Sequence, residues 1–190
     1  MKKMLLGFAL MLASAAAAAQ DAGFYLGVHI GQAMYRETCD DFTGPGLSCD
    51  DKDSAWKVLG GYQFNKHFAA EIGYVDLGTL TARGPGGTLT ADVSAFELVA
   101  VGSLPVADRF SVYGKLGLYR GEVDGNVNTV LVTGSASETN TDITFGFGAR
   151  FDFSKQLGAR IEWQRYPSVG GPDTGEDDVD LISIGLLFRF

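Results

Sequence analysis

Charged residues recur inside segments that are otherwise apolar or small, and such residues could form an ion-pair network. Glu71 lies in FAAEIGY, Lys115 in FSVYGKLGLY and Arg150 in ITFGFGARFDF. Arg160 and Glu162 share the segment LGARIEWQRY. A charge that is removed from water is tolerated when an opposite charge pairs with it. If the fold brings these five residues together, we expect a mixed-sign network of ion pairs.

Candidates for catalytic chemistry are few in this chain. A nucleophilic serine needs a base within hydrogen-bond reach, and His29 and His67 are the only histidines. Neither histidine has a serine two positions after it. We therefore expect no enzymatic activity, no cofactor and no metal site, and we expect His29 to fill space inside the fold.

The only two cysteines, Cys39 and Cys49, lie in one acidic segment and are separated by nine residues. If the chain is exported, they meet oxidising conditions in which a disulfide forms. Metal binding is the alternative, but two thiols without a nearby histidine make a poor site. We predict a local disulfide between Cys39 and Cys49.

The first nineteen residues have the three parts of a secretory signal. Lys2 and Lys3 are followed by an apolar run over residues 4–12, and Ala17–Ala19 form a small-residue cleavage site. The apolar run is too short to span about 30 Å of hydrocarbon. We predict a signal peptide over residues 1–19 and a single domain over residues 20–190.

The exported part of the chain would be strongly acidic. Without Lys2 and Lys3, 13 basic and 23 acidic residues leave a net charge of −10. Binding to nucleic acid requires clustered Lys and Arg side chains that contact phosphates. This composition therefore argues against a nucleic-acid partner.

Eight segments alternate between apolar residues and small or polar ones. A period of two is typical of β-strands. The segments are GFYLGVHIG, SAWKVLGGYQF, FAAEIGY, AFELVAVGSL, FSVYGKLGLY, ITFGFGARFDF, LGARIEWQRY and LISIGLLFRF. Because an even number of strands can close without a free edge, we predict an all-β fold, an eight-stranded antiparallel up-and-down barrel.

The two faces of these strands differ in charge, and two arrangements fit that difference. One face carries nearly all of the Phe, Ile, Leu and Trp residues, and the other carries glycine, alanine and the charges. A soluble lipid-carrying barrel would direct the charged face to water, whereas a membrane barrel would direct it inward. The glycines and alanines suit a narrow interior, and aromatic residues gather at the strand ends of the apolar face, where a membrane barrel has its girdles.

The connections between the segments alternate between short and long. The short ones are NKH, PVADR and SKQ, and the long ones run roughly over residues 36–53, 78–91, 122–140 and 167–179. Short periplasmic turns and long extracellular loops are typical of bacterial outer-membrane barrels. We therefore favour a transmembrane barrel in the outer membrane of a Gram-negative bacterium.

Several stretches resemble the transmembrane domain of the outer membrane protein A family and its small-barrel relatives. They are GFYLGVHIGQAMY, VLGGYQFNKHFAAEIGYVDLG, VYGKLGLYRGEV, GARFDFSKQLGARIEWQRY and ISIGLLFRF. The resemblance implies that the last strand is read by the barrel-assembly machinery through its alternating residues, which are Ile184, Leu186, Phe188 and Phe190. We also expect contact with outer-membrane lipids and lipopolysaccharide, and a monomeric barrel. The chain departs from the longer members of the family in one respect: it ends at the barrel, so we expect no peptidoglycan-binding domain.

The resemblance further implies that Glu71 and Arg160 match a pair that obstructs the pore inside the barrel. This chain departs from the family pattern at two nearby positions. Val101 stands where the family has a lysine, and Arg150 stands where it has an acid. These departures argue against a gate that works by exchange of ion-pair partners.

The long connections are acidic, which suits solubility at the cell surface or bridging by divalent cations to lipopolysaccharide phosphates. The acidic residues concerned are Glu37, Asp40, Asp41, Asp50, Asp51, Asp53, Asp173, Glu176, Asp177, Asp178 and Asp180. We expect a mainly structural envelope protein that presents these loops. A narrow, low-conductance porin-like channel and a loop-mediated adhesin or receptor are the alternatives.

Overall fold

The computed structural model describes residues 22–36, 48–84, 87–129, 133–171 and 175–190. These residues form nine β-strands: β1 (Gly23–Tyr35), β2 (Ser48–Asp50), β3 (Lys52–Gln63), β4 (Phe68–Gly84), β5 (Gly87–Ala107), β6 (Phe110–Thr129), β7 (Thr133–Asp152), β8 (Leu157–Gly171) and β9 (Gly175–Arg189). Within these ranges there is no helix that is long and apolar enough to cross a membrane.

The eight long strands close into an antiparallel barrel. Each of the strands from β3 to β8 pairs with its successor in the chain, and β1 pairs with both β3 and β9. The ladder between β1 and β9 joins the two ends of the sheet, from Tyr25 opposite Arg189 to Tyr35 opposite Val179. The short strand β2 pairs with the far end of β4. This closed sheet confirms the predicted fold.

The side chains alternate between a lipid-facing wall and the lumen, as the sequence pattern predicts. On β5, Phe96 and Leu98 are 62% and 61% exposed, whereas Glu97 between them is 2% exposed. Exposed aromatic residues lie beside the short turns, including Phe64 and Phe68. The wall therefore has the apolar band and aromatic girdle of a membrane barrel.

The predicted long connections are wrong in extent, because most of their residues belong to strands. β4 and β5 continue to Gly84 and from Gly87, and β6 and β7 continue to Thr129 and from Thr133. The stretches at 78–91, 122–140 and 167–179 are therefore largely paired hairpin rather than loop. Residues 37–47 of the first connection lie outside the described residues.

The lumen is filled by large apolar side chains as well as by the small residues that the sequence suggested. Two clusters of buried residues occupy it, one at each end of an ionic layer. On β5, Val93 and Ala95 belong to the cluster on the extracellular side, which we call the upper cluster. Glu97 follows in the ionic layer, and Val99 and Val101 belong to the cluster on the periplasmic side, the lower cluster. The upper cluster also contains tyrosines and leucines, among them Tyr35, Leu77, Tyr119, Tyr166 and Leu181.

Candidate functional site in the barrel lumen

Six ionic side chains meet in the middle of the lumen, and each residue is at most 4% exposed. They come from five strands, and β8 contributes two of them. Each occupies an inward position, which directs its side chain toward the barrel axis. The six are Lys57, Glu71, Glu97, Lys115, Arg160 and Glu162. Three cations face three anions, so the cluster is balanced when all six are ionised.

Lys115 and Lys57 hold the centre of this lumen cluster. Lys115 Nζ lies 2.9 Å from Glu71 Oε2 and 3.0 Å from Glu162 Oε2. Lys57 Nζ lies 3.0 Å from Glu162 Oε1 and 3.2 Å from Glu97 Oε1. Each carboxylate of this group therefore faces at least one ammonium at ion-pair distance, as buried charges require.

Arg160 forms the periplasmic side of the cluster. Its Nη2 donates to Glu71 Oε1 at 2.8 Å, and its guanidinium lies 4.6 Å from the ring centroid of Tyr113. The Tyr25 hydroxyl donates to the same oxygen of Glu71 at 2.6 Å, and the Tyr113 hydroxyl donates to Glu162 at 2.9 Å. The tyrosines thus bond the carboxylates and cover the guanidinium with their rings, which excludes water.

Gln164 and Tyr166 complete the cluster on the extracellular side. Gln164 accepts a hydrogen bond from Lys57 at 2.6 Å and donates to Glu97 at 2.7 Å. The Tyr166 hydroxyl donates to the same oxygen of Glu97 at 2.7 Å. These neutral donors supply the additional hydrogen bonds that a desolvated carboxylate needs.

Of the five residues predicted for the network, the structure brings Glu71, Lys115, Arg160 and Glu162 together and leaves Arg150 outside. Arg150 lies opposite Arg160 in the β7–β8 ladder, and like charges in such a pair repel each other. The Arg150 side chain instead lies near the periplasmic mouth, with its Nε 3.5 Å from Asp152 Oδ1. Asp152 also pairs with Arg189 at 2.8 Å.

The network prediction omitted two members of the cluster, Lys57 and Glu97. Both stand at inward positions between outward apolar residues, so the alternation that placed Glu71 in the lumen applied to them equally. The pattern of faces could therefore have found them. The heights of these residues in the lumen, by contrast, depend on the stagger of the strands, which the sequence does not state.

His29 has a serine partner that sequence reasoning missed. Its Nδ1 lies 3.4 Å from Ser183 Oγ across the β1–β9 seam, and both residues are 2% exposed. This distance is somewhat longer than the roughly 2.6–3.2 Å that separates an activated nucleophile from its base, and both side chains lie within the packed lumen. A substrate would have to displace the surrounding side chains to reach the serine. His67, as predicted, lies in the β3–β4 turn.

Two other predictions concern the extracellular end. Cys39, and with it the Cys39–Cys49 pairing, lies outside the described residues, and Cys49 lies in β2. Asp180 was expected in a solvated loop, but it lies in β9 and is 1% exposed. Its carboxylate accepts hydrogen bonds from Arg36 at 2.6 Å and from Arg165 at 2.7 Å. Charge pairing therefore holds this part of the predicted loop in the sheet.

An eight-stranded antiparallel barrel with an apolar outer wall and an ion-paired interior defines the class of small outer-membrane β-barrel proteins. Residues 19–190 match the family model of the OmpA-like transmembrane domain. The chain belongs to this family, which confirms the resemblance noted in the sequence, and it is a protein of the Gram-negative outer membrane.

Curated relatives agree with the family, and solved structures agree with the fold. Outer membrane protein A of Yersinia pseudotuberculosis serotype I (strain IP32953) is 29% identical over 190 residues, which cover 98% of this chain and 53% of the relative. The chain thus spans about half the length of the curated relatives it matches. Neisserial surface protein A has a similar fold, with a TM-score of 0.60, 13% identity, and coverage of 88% of this chain and 97% of that one.

A second fold neighbour is Ail, the attachment invasion locus protein of Yersinia pestis, solved in complex with the heparin analogue sucrose octasulfate. Its TM-score is 0.52 at 15% identity, and the alignment covers 88% of this chain and 99% of Ail. At this identity the likeness extends to the fold alone.

Proposed function

We propose that this barrel has a mainly structural role: it anchors in the outer membrane with a closed lumen and holds its hairpins above the cell surface. The observation that carries the proposal is the filled lumen. The ionic cluster is buried, and packed apolar side chains lie on both sides of it. An eight-stranded interior has just enough room for such side chains.

Conduction of ions would require this filling to rearrange. A permeating cation would have to compete with Lys57, Lys115 and Arg160 for the same carboxylates, and water would have to enter two apolar clusters. Opening would also separate buried ion pairs, each of which is costly to break. We therefore place the porin-like channel second to the structural role.

Planar-bilayer recording tests this role with wild-type barrel and with Glu71→Ala, each first checked for folding by heat-modifiable gel migration. We expect no steady conductance from either protein, because the two apolar clusters still close the lumen when one carboxylate is lost. Glu122→Ala, at an exposed outward position of β6, is the matched control. Conductance that rises in Glu71→Ala and not in Glu122→Ala would instead support a pore closed by this ion pair.

Surface binding is a second candidate, supported by the hairpins that extend beyond the apolar band. Asp51, Asp92, Glu122 and Asp124 are exposed on this extension, with Arg36, Lys52 and Arg120 as exposed cations. The sequence of the connections adds further acidic residues, which are Glu37, Asp40, Asp41 and Asp173. A predominantly acidic surface repels polyanions. If the hairpins bind a partner, a cationic one is therefore favoured over a sulfated ligand of the kind that Ail was solved with.

The remaining roles belong to the same proposal. We propose export by residues 1–19, a Cys39–Cys49 disulfide, no catalytic activity, and insertion by the barrel-assembly machinery in a membrane that contains lipopolysaccharide. Support for the assembly signal comes from the outward alternation of its four residues, whose exposed fractions run from 45% to 76%. The residues are Ile184, Leu186, Phe188 and Phe190.

A further inference from the structure

The lipid-facing wall has a groove in its periplasmic half. Ala149 on β7 and Ala159 on β8 lie at outward positions where the neighbouring positions carry large side chains. The resulting depression has a volume of about 610 Å³ and is lined almost entirely by apolar atoms. Its walls are formed by Phe110, Phe151, Ile161, Ile184, Leu186 and Val28.

The lower end of this groove lies beside two periplasmic turns. Phe110 and Phe151 face each other in the β6–β7 ladder. Phe110 is the first residue of β6, and Phe151 is the next-to-last residue of β7. The backbone amide of Asp152 donates to the Arg109 carbonyl at 2.8 Å, which ties the β5–β6 turn to the end of β7.

Each of these two turns presents an exposed cation. Arg109 immediately precedes Phe110, and Lys155 lies in the turn between β7 and β8; both are exposed. Asp108 is also exposed in the first turn, but among the described residues neither cation makes an ion pair. Two positive charges without an ion pair among the described residues therefore lie at the periplasmic end of the apolar groove, beside aromatic residues of the kind that mark a membrane interface.

We propose that this groove binds one anionic glycerophospholipid of the periplasmic leaflet. One acyl chain would lie over Ala149 and Ala159, and the headgroup phosphate would lie between Arg109 and Lys155. The volume is within the range of about 300–1,000 Å³ that is typical of ligand sites. The pairing of an apolar recess with cations at its aqueous end matches the two parts of such a lipid.

A second copy of the barrel fits this surface less well. Two convex walls touch along a line, so a neighbouring barrel would leave the recess over Ala149 and Ala159 unfilled, whereas a flexible acyl chain can fill it. A symmetric dimer through this face would also bring Arg109 and Lys155 of both copies to the same rim. Like charges placed together in this way disfavour association.

Native mass spectrometry of the folded barrel in detergent micelles tests the proposal, with phosphatidylglycerol and phosphatidylcholine of identical acyl chains as probes. We expect one retained phosphatidylglycerol and weaker retention of phosphatidylcholine. Loss of one cation near a membrane surface lowers the affinity for anionic lipid about fivefold. Arg109→Gln and Lys155→Gln should each weaken phosphatidylglycerol binding by this factor and phosphatidylcholine binding by less, because the choline cation offsets the charge of the phosphate.

Ala159→Phe fills the groove and should reduce the binding of both lipids. Lys66→Gln is the matched control for the charges, since its turn adjoins β4, four strands away from β8 in either direction around the barrel. Ala100→Phe, outward on β5, is the control for the groove, and both controls should bind as wild type does. Equal retention of the two lipids, unchanged binding by Arg109→Gln, or a dimer in place of a lipid adduct would overturn the proposal.

Discussion

Glu162 lies within ion-pair distance of all three cations of the lumen cluster. Its carboxylate lies within 3.1 Å of both Lys57 Nζ and Lys115 Nζ and also accepts a hydrogen bond from Tyr113. Because the residue is 1% exposed, water cannot replace these contacts. Two ammonium groups therefore depend on one carboxylate for much of their neutralisation.

Replacing Glu162 with glutamine should destabilise the barrel by about 3–5 kcal/mol, the usual cost of removing one partner from a buried ion pair. The amide keeps the shape of the side chain, so the loss is one of charge rather than of packing. Urea unfolding in lipid vesicles measures the free energy of unfolding. Glu122→Gln, exposed on β6, should change it by no more than about 0.5 kcal/mol. Equal values for the two variants would contradict the proposed dependence on Glu162.

The membership of the cluster shows how far residue-level prediction reached. The alternation assigns Glu71 and Arg160 to the lumen, and the resemblance pairs them, because face and family pattern are both written in the sequence. The alternation could not exclude Arg150 from the network, because the position of Arg150 opposite Arg160 follows from the register of β7 against β8. Register depends on the closure of the whole barrel, and a local segment does not encode it.

At the scale of the element, β7 has two faces in different media. Phe147 is 63% exposed on the wall, while Gly148 faces the lumen. A Cβ added at Gly148 would lie 2.3 Å from the Ile161 carbonyl oxygen and 2.4 Å from the Tyr113 hydroxyl. The strand therefore needs a large apolar residue at one position and no side chain at the next.

Phe147→Arg should cost about 2–4 kcal/mol, because it places a cation on the lipid face within the apolar band. Thr141→Arg is the control, since Thr141 is outward on the same strand but lies beyond that band. It should be nearly neutral. Gly148→Ala should destabilise by about 1–3 kcal/mol through crowding of the lumen. Unfolding of all three in vesicles gives these values, and equal tolerance of arginine at positions 141 and 147 would contradict the assigned membrane boundary.

The sequence predicts loops for the upper parts of the strands because the apolar residues move there from the outward face to the inward face. On β5, Phe96 and Leu98 are outward within the membrane, whereas Val93 and Ala95 are inward above it, with Asp92 and Ser94 outward. The period of two continues, but the apolar residues change face where the surrounding solvent changes from lipid to water. Polar outward residues such as Thr and Asp give these stretches a composition like that of a loop, although the inward residues between them are buried.

At the scale of the whole molecule, the barrel combines two kinds of packing. The part inside the apolar band buries charges and exposes apolar side chains, because lipid is its solvent. The part above the band has an apolar interior, as a soluble protein has. Leu77 belongs to this upper region: it follows Asp76, where the outward residues of β4 become polar, and it is fully buried.

Leu77→Ala should therefore cost about 3–5 kcal/mol, within the range for leucines in soluble cores, because a cavity remains in the dry lumen. Leu116→Ala is the matched control on the lipid face, where Leu116 is 61% exposed. It should cost about 2 kcal/mol, the transfer free energy of the lost carbon atoms alone, since acyl chains fill the space. Urea unfolding in vesicles compares the two. A cost below about 1 kcal/mol for Leu77→Ala would mean that the hairpins above the membrane are not held by a packed core, and the view of the extension as a rigid support would fail.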